Sequence, residues 1–200
     1  MKNIPFLLIY SRILIGIIIG FLTFYYTKHQ TIWIVSLMFI GLLTDIFDGI
    51  IARKLDISTK KLRVWDSNVD QFFWLIVIGS SFYLNFSFVK ENIVYISIIV
   101  LLELLCYLIS YIKFKRTIAT HSILAKVWTL SLLGFLVDLI LHSTSHYFFI
   151  LCLFLGIISR IEIILIILKL NKWTTDVPSI LVVSKINQGI PIKKNRLFNS

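Results

Sequence analysis

Residues 13–21 read ILIGIIIGF. Nothing in this run alternates apolar with polar, so it is neither a half-buried strand nor a strand of a membrane barrel. Working outward, the apolar stretch covers about residues 11–26. Five more of similar character follow, at about 32–53, 67–88, 93–112, 123–141 and 147–168. A helix rises about 1.5 Å per residue, so a hydrocarbon core of about 30 Å needs about 20 residues. All six can span, allowing for tilt and interfacial ends. Water is absent from the bilayer core, so a spanning segment must satisfy its own backbone, as a helix does. The fold expected is all-α: a polytopic membrane protein with six transmembrane helices. Residues 3–10, opened by Pro5, are expected as an N-terminal interfacial helix. Arg12 within the first run, and the absence of an A-x-A-like cleavage site, mark that run as a retained helix rather than a signal peptide. Pro5, Pro178 and Pro191 all fall outside the six spans, where a missing N–H matters least.

Composition agrees. Of 200 residues, 58% are hydrophobic and 15% charged, with a mean hydropathy of +0.91. A soluble domain is roughly 45–50% apolar even with glycine counted. These figures exclude a soluble enzyme, a disordered chain and a disulfide-stapled scaffold. The net charge is +10, from 20 Lys and Arg against 10 Asp and Glu. In this setting a basic excess points to loops on the anionic cytosolic face, not to nucleic acid. Arg53, Lys54, Lys60, Lys61 and Arg63 follow the second span, and Lys113, Lys115 and Arg116 the fourth. Lys172, Lys185, Lys193, Lys194 and Arg196 lie in the tail, while the opposite side holds Lys28, Lys90 and the uncharged HSTSHY connection. Both termini and the 53–66 loop are therefore expected in the cytosol. The expected division is a membrane domain over 1–170 and a basic cytosolic tail over 171–200. Cys106 and Cys152 lie inside apolar runs and are expected as free buried thiols.

The chemistry is concentrated in residues 44–71, TDIFDGIIARKLDISTKKLRVWDSNVDQ. Asp45, Asp48, Gly49 and Ala52 stand at i, i+3, i+4 and i+7, one face of a helix that is normally apolar. Asp66 and Asp70 stand at i and i+4. A short loop makes the two helices antiparallel neighbours, so their acid faces can converge. Four carboxylates near lipid repel one another unless a cation sits among them. An all-oxygen donor set suits Mg²⁺, Mn²⁺ or Ca²⁺, and the lack of His and Cys argues against zinc. Gly49 and Ala52 leave room for a ligand to approach the backbone. The plain alternative pairs each acid with a nearby base, for which Arg53, Lys54, Lys60, Lys61 and Arg63 are available.

These residues resemble the signature of the CDP-alcohol phosphatidyltransferases: Asp, two residues, Asp-Gly, two residues, Ala-Arg, eight residues, Gly, three residues, Asp, three residues, Asp. Asp45, Asp48, Gly49, Ala52, Arg53, Asp66 and Asp70 match, and Leu62 stands where the family has Gly. A long pattern with fixed gaps is far more specific than a short motif. The opening Asn3-Ile4-Pro5 followed by Arg12 is similar to the start of several bacterial members, and Lys126 and Thr129 are similar to a Lys-x-x-Thr element in some. The resemblance implies transfer of a phosphatidyl or other phospho-alcohol group from a CDP-linked lipid donor to an acceptor hydroxyl, with release of CMP. It implies that Asp45, Asp48, Asp66 and Asp70 hold the metal, Mg²⁺ or Mn²⁺. Asp70 would also take the acceptor's proton. Gly49, Ala52, Arg53 and Thr59 would meet the CDP part of the donor. A homodimer in the bacterial inner membrane, with a small polar or lipid alcohol as acceptor, is expected on the same ground. Leu62 adds bulk where the donor is posed.

Other polar residues in the spans each need an account. Arg160 and Lys126 are expected to bind an acidic acceptor; Lys126 and Thr129 can equally snorkel and cap. Arg160 and Glu162 are two apart and do not face each other. Glu103 is expected at a helix or dimer contact, Asp138 and Trp65 near an interface, and His121 in a solvated loop. Two rival functions stay open at this point. One is a divalent-cation transporter or channel, since membrane carboxylates also line ion paths. The other is an inactive family member acting as a scaffold, prompted by Leu62.

Overall fold

The apolar runs are helical in a computed structural model, which describes residues 4–25, 27, 29–54, 60–116, 120, 122–175 and 177–190. Side chains of residues 4, 5, 49, 52–54, 60–64 and 67 lie outside that description. The helices are α1 (Ile4–Phe24), α2 (Gln30–Lys54), α3 (Lys60–Leu84), α4 (Phe86–Glu91), α5 (Ile93–Phe114), α6 (Ile123–His142), α7 (Tyr147–Lys169) and α8 (Val183–Asn187), with a 3₁₀ turn at Ile180–Val182. Among the described residues there is no strand. The all-α membrane fold is what the apolar periods dictate.

Two details differ from the sequence reading. Helix α1 runs unbroken from Ile4, so residues 4–10 continue the first span instead of forming a separate interfacial helix. With Pro5 in the first turn, where its missing N–H has no intrahelical partner anyway, nothing stops the helix. Among the described residues five helices, not six, are long and apolar enough to cross a membrane: those at Phe6–Phe24, Gln30–Asp48, Ile93–Phe114, Ile123–His142 and Tyr147–Lys169. The third expected span is divided. Its apolar residues begin after the charged first half of α3, and Asn85 ends that helix by folding its amide Nδ2 onto the Ser81 carbonyl at 3.0 Å.

The chain forms two compact units. The first comprises Met1–Phe88 and Leu136–Thr144. Here α1 packs against both α2 and α3. Ile9 and Ile13 of α1 close on Val69 of α3. The Gln30 amide Nε2 donates to the Leu22 and Thr23 carbonyls at 2.6 and 3.1 Å, so the first residue of α2 satisfies the open end of α1. Hydroxyls within the helices turn back on their own backbone: Thr23 on Ile19, Thr44 on Gly41 and Ser81 on Val77, at 2.7–2.8 Å. That is how these polar residues are tolerated away from water.

Gly41 of α2 and Phe73 of α3 are both buried in this unit. A β-carbon on Gly41 would stand 2.8 Å from Cε2 of the Phe73 ring. Phe73 follows Asp70 by three residues, so a side chain at 41 would push on the turn that carries an acid. Gly41→Leu is expected to cost about 1–3 kcal/mol by overpacking, seen as a lower Tm of the detergent-solubilised protein. An unchanged Tm would show that the ring has somewhere else to go.

The second unit comprises Val89–Phe135 and Ser145–Ser200. Helices α5 and α7 pack together, with Cys106, Ile163 and Ile167 buried between them. Cys106 and Cys152 are free and buried, as expected. Residues 170–190 fold back on this pair. Leu170, Val177 and Val183 bury against Ile166, with Phe114 and Ile180 beside them. The segment is fastened by polar contacts. Glu162 Oε1 accepts from the Ile180 N–H at 3.3 Å, and the Ile123 N–H that opens α6 donates to the Pro178 carbonyl at 2.9 Å. Lys113 Nζ donates to the Ile167 and Leu168 carbonyls at 3.0 and 2.6 Å, closing the C-terminal end of α7. Large apolar side chains such as Leu101, Leu108 and Ile112 of α5 remain exposed, as lipid-facing residues do.

Candidate metal centre

Helical spacing puts Asp45 and Asp48 on one face of α2, and Asp66 and Asp70 on one face of α3. In the first unit all four are brought together, and what they surround is Arg12 of α1. Nη1 of Arg12 pairs with Asp45 Oδ1 at 2.8 Å and with Asp70 Oδ1. Nη2 pairs with Asp66 Oδ1 at 2.6 Å and with Asp48 Oδ2. Each terminal nitrogen thus bridges one acid of α2 to one acid of α3. Arg12 is 1% exposed and Asp48 3%, whereas Asp45, Asp66 and Asp70 are partly open to their surroundings. The site is deep on the α1 side and accessible on the other.

Arg12 is the residue that sequence reasoning passed over. It was legible as an arginine inside an apolar span, which needs a partner. The sequence offered five nearer bases for the acids, in the loop and at the flanking helix ends. Among the described residues, the cation they take comes instead from α1. Helix packing decides this, because α1 lies against both acid-bearing helices.

The donor set fits a divalent cation. Asp45, Asp48 and Asp66 each offer one oxygen within 4.8 Å of the others. Oxygens bound to one Mg²⁺ at about 2.1 Å stand about 3–4 Å apart, not far from this spacing. All donors are carboxylate oxygens, as a hard cation prefers. The charge also fits. Among the described residues one guanidinium meets four carboxylates, so the acids outnumber the base beside them. Asp70 is outside the trio, yet it reaches the same guanidinium.

The remaining expected site residues fall elsewhere. Gly49, Ala52 and Arg53 lie in α2, with their side-chain surroundings outside the described residues; Thr59 and His121 are outside them altogether, as is the side chain of Leu62. Arg160 and Lys126 belong to the second unit. Arg160 is 5% exposed; its Nε pairs with Glu103 of α5, and its guanidinium lies 4.0 Å over the ring of Trp128 of α6. Glu103 thus finds its partner within the chain. Glu162 turns to Ile180 instead of Arg160, in keeping with their two-residue spacing. Lys126 is exposed on α6, and the Thr129 hydroxyl is used within that helix, donating to the Ala125 carbonyl at 3.0 Å. Asp138 pairs with His142 at 2.8 Å.

Comparison with known proteins agrees with the motif. A family model described as CDP-alcohol phosphatidyltransferase matches residues 2–177, nearly the whole chain. No curated protein and no solved structure matches it. The match takes in both units, including the helices that carry the four acids and Arg12. With an acid cluster suited to a divalent metal between apolar helices, and a family match along most of its length, this chain belongs to the CDP-alcohol phosphatidyltransferase family, transferases that move a phospho-alcohol group from a CDP-linked donor in lipid synthesis.

Proposed function

We propose that the protein transfers a phosphatidyl group from CDP-diacylglycerol, or a related phospho-alcohol group from another CDP-linked donor, to an acceptor hydroxyl, releasing CMP in phospholipid biosynthesis. The observation that carries this is the convergence of Asp45, Asp48, Asp66 and Asp70 on one point, where among the described residues they outnumber the single base they meet. In this reading Asp45, Asp48 and Asp66 hold Mg²⁺ or Mn²⁺, with Asp70 sharing it. Bound there, the cation supplies positive charge that neutralises the donor diphosphate and steadies the departing CMP oxygen. Asp70 accepts the proton of the acceptor hydroxyl as the new O–P bond forms and the bond to CMP breaks. Its partial exposure and its place beside the trio suit that task. Gly49, Ala52, Arg53 and Thr59 contact the CDP part of the donor, and the rest of the work is positioning and electrostatics.

Lys126 and Arg160 are proposed for the acceptor. Burial and the stack on Trp128 hold the Arg160 guanidinium in a fixed orientation, and Glu103 would have to share it with an acidic acceptor. Arg160→Ala is expected to raise the apparent KM for a phosphorylated acceptor about tenfold or more, the worth of a charge-assisted hydrogen bond. An unchanged KM removes Arg160 from the acceptor site. The basic segments support a cytosolic site with both termini on that side of a bacterial inner membrane. They likewise support a membrane domain over 1–170 with a cytosolic tail over 171–200. The family resemblance supports a homodimer.

The deciding experiment gives the purified protein CDP-diacylglycerol, Mg²⁺ or Mn²⁺ and a panel of alcohol acceptors, and measures CMP. Metal-dependent release is the expected result. Metal flux into liposomes without CMP would overturn it in favour of a transporter. Neither outcome, across the acceptor panel, would favour a scaffold.

A further inference from the structure

We propose that Arg12 and the divalent cation are alternative counter-ions of the same four carboxylates, so that Arg12 holds the metal-free centre together and sets the affinity for metal. This rests on the metal-centre reading given above. The two would compete for the same acids. The guanidinium pairs with an oxygen of each of Asp45, Asp48 and Asp66, the three acids that each offer one oxygen within 4.8 Å of the others, so an ion ligated by them draws on the same carboxylates. The fork of Arg12 is suited to the holding task. Two terminal nitrogens each join α2 to α3, which the point charge of a lysine could not do at four carboxylates.

The balance of forces allows exchange. Among the described residues one guanidinium faces four carboxylates, so attraction for a second cation survives. Without Arg12, the four carboxylates would lose the cation they share, and their mutual repulsion would push α2 and α3 apart. With it, the helices stay in register before metal arrives, and metal must displace a well-paired group to enter. The apparent affinity is then lowered by the fraction of molecules in which the guanidinium has let go. A merely structural arginine would act in the opposite direction, because its loss would loosen the ligands and weaken metal binding.

The test uses the full chain in detergent. Mn²⁺ binding is read from the paramagnetic resonance of free Mn²⁺, and thermal unfolding is recorded with and without Mn²⁺. Arg12→Gln is expected to bind Mn²⁺ about tenfold or more tightly than the wild type, in the range of ordinary coupling between sites. Its metal-free Tm falls, and the rise in Tm on adding Mn²⁺ exceeds that of the wild type. Arg12→Lys lies between the two proteins. If Arg12→Gln binds Mn²⁺ no more tightly than the wild type, the proposal is overturned. Should the glutamine variant fail to fold, Arg12→Lys decides by the same comparison: tighter than wild type supports the proposal, equal or weaker overturns it. Asp48→Asn serves as the control for the centre itself. If it binds Mn²⁺ as the wild type does, or if the wild type binds none, the metal-centre reading fails first, whatever the Arg12 variants do.

Discussion

Asp70→Asn is expected to lower the rate of CMP release by about 10²–10⁴-fold, the range for loss of a positioned general base. The substitution keeps the size of the side chain and one oxygen for Arg12, but an amide cannot take a proton. Asp70 stands outside the trio whose oxygens lie within 4.8 Å of one another, one helical turn on from Asp66. Metal affinity is therefore expected to change far less than the rate. Measuring CMP release at saturating Mn²⁺ alongside Mn²⁺ binding separates the two effects. A rate within a few fold of the wild type would place the base elsewhere. A parallel collapse of metal binding would make Asp70 a ligand before anything else.

Asp48→Asn has the other large effect, and its two halves run in opposite directions. Asp48 is the most buried of the four acids, and its Oδ2 pairs with Nη2 of Arg12. Removing its charge takes away one of the proposed metal ligands, so Mn²⁺ affinity is expected to fall by about two orders of magnitude or more, the upper end of what even outer-sphere changes cost. Folding stability without metal should rise. Like charges about 4–5 Å apart repel by a few kcal/mol at an effective dielectric constant of about 20. The asparagine oxygen can still accept from Arg12, so the guanidinium stays paired. We expect a metal-free Tm a few degrees above the wild type, and one that no longer responds to Mn²⁺. A site that stores repulsion for the sake of binding behaves in this way. A lower metal-free Tm would mean that the Arg12–Asp48 pair outweighs the repulsion.

Most of the helical plan was legible because apolar length is a one-dimensional property. The runs at 93–112, 123–141 and 147–168 correspond to α5, α6 and α7 within a few residues. The errors fell where a local rule met context. Pro5 read as the mark of a separate interfacial segment, yet the first turn of a helix accepts proline, and α1 simply starts there. The span at 67–88 read as continuous, yet the Asn85 amide reaches back to the Ser81 carbonyl and ends α3. The partners of Glu103 and Glu162 could not be read at all. One is Arg160, 57 positions further on, and the other is a backbone N–H in the segment that folds over α7.

Sequence alone determined that the chain lives in a membrane as helices, and that two pairs of acids lie on two helix faces with spacing that suits a hard cation. Both follow from periodicity, which residues carry in their order. That Arg12 sits among those acids was settled only by packing. Arg12 is 33 residues from Asp45 and 54 from Asp66, and no spacing rule connects them. It reaches them because α1 lies against both α2 and α3, and a guanidinium buried at that depth is stable only beside carboxylates.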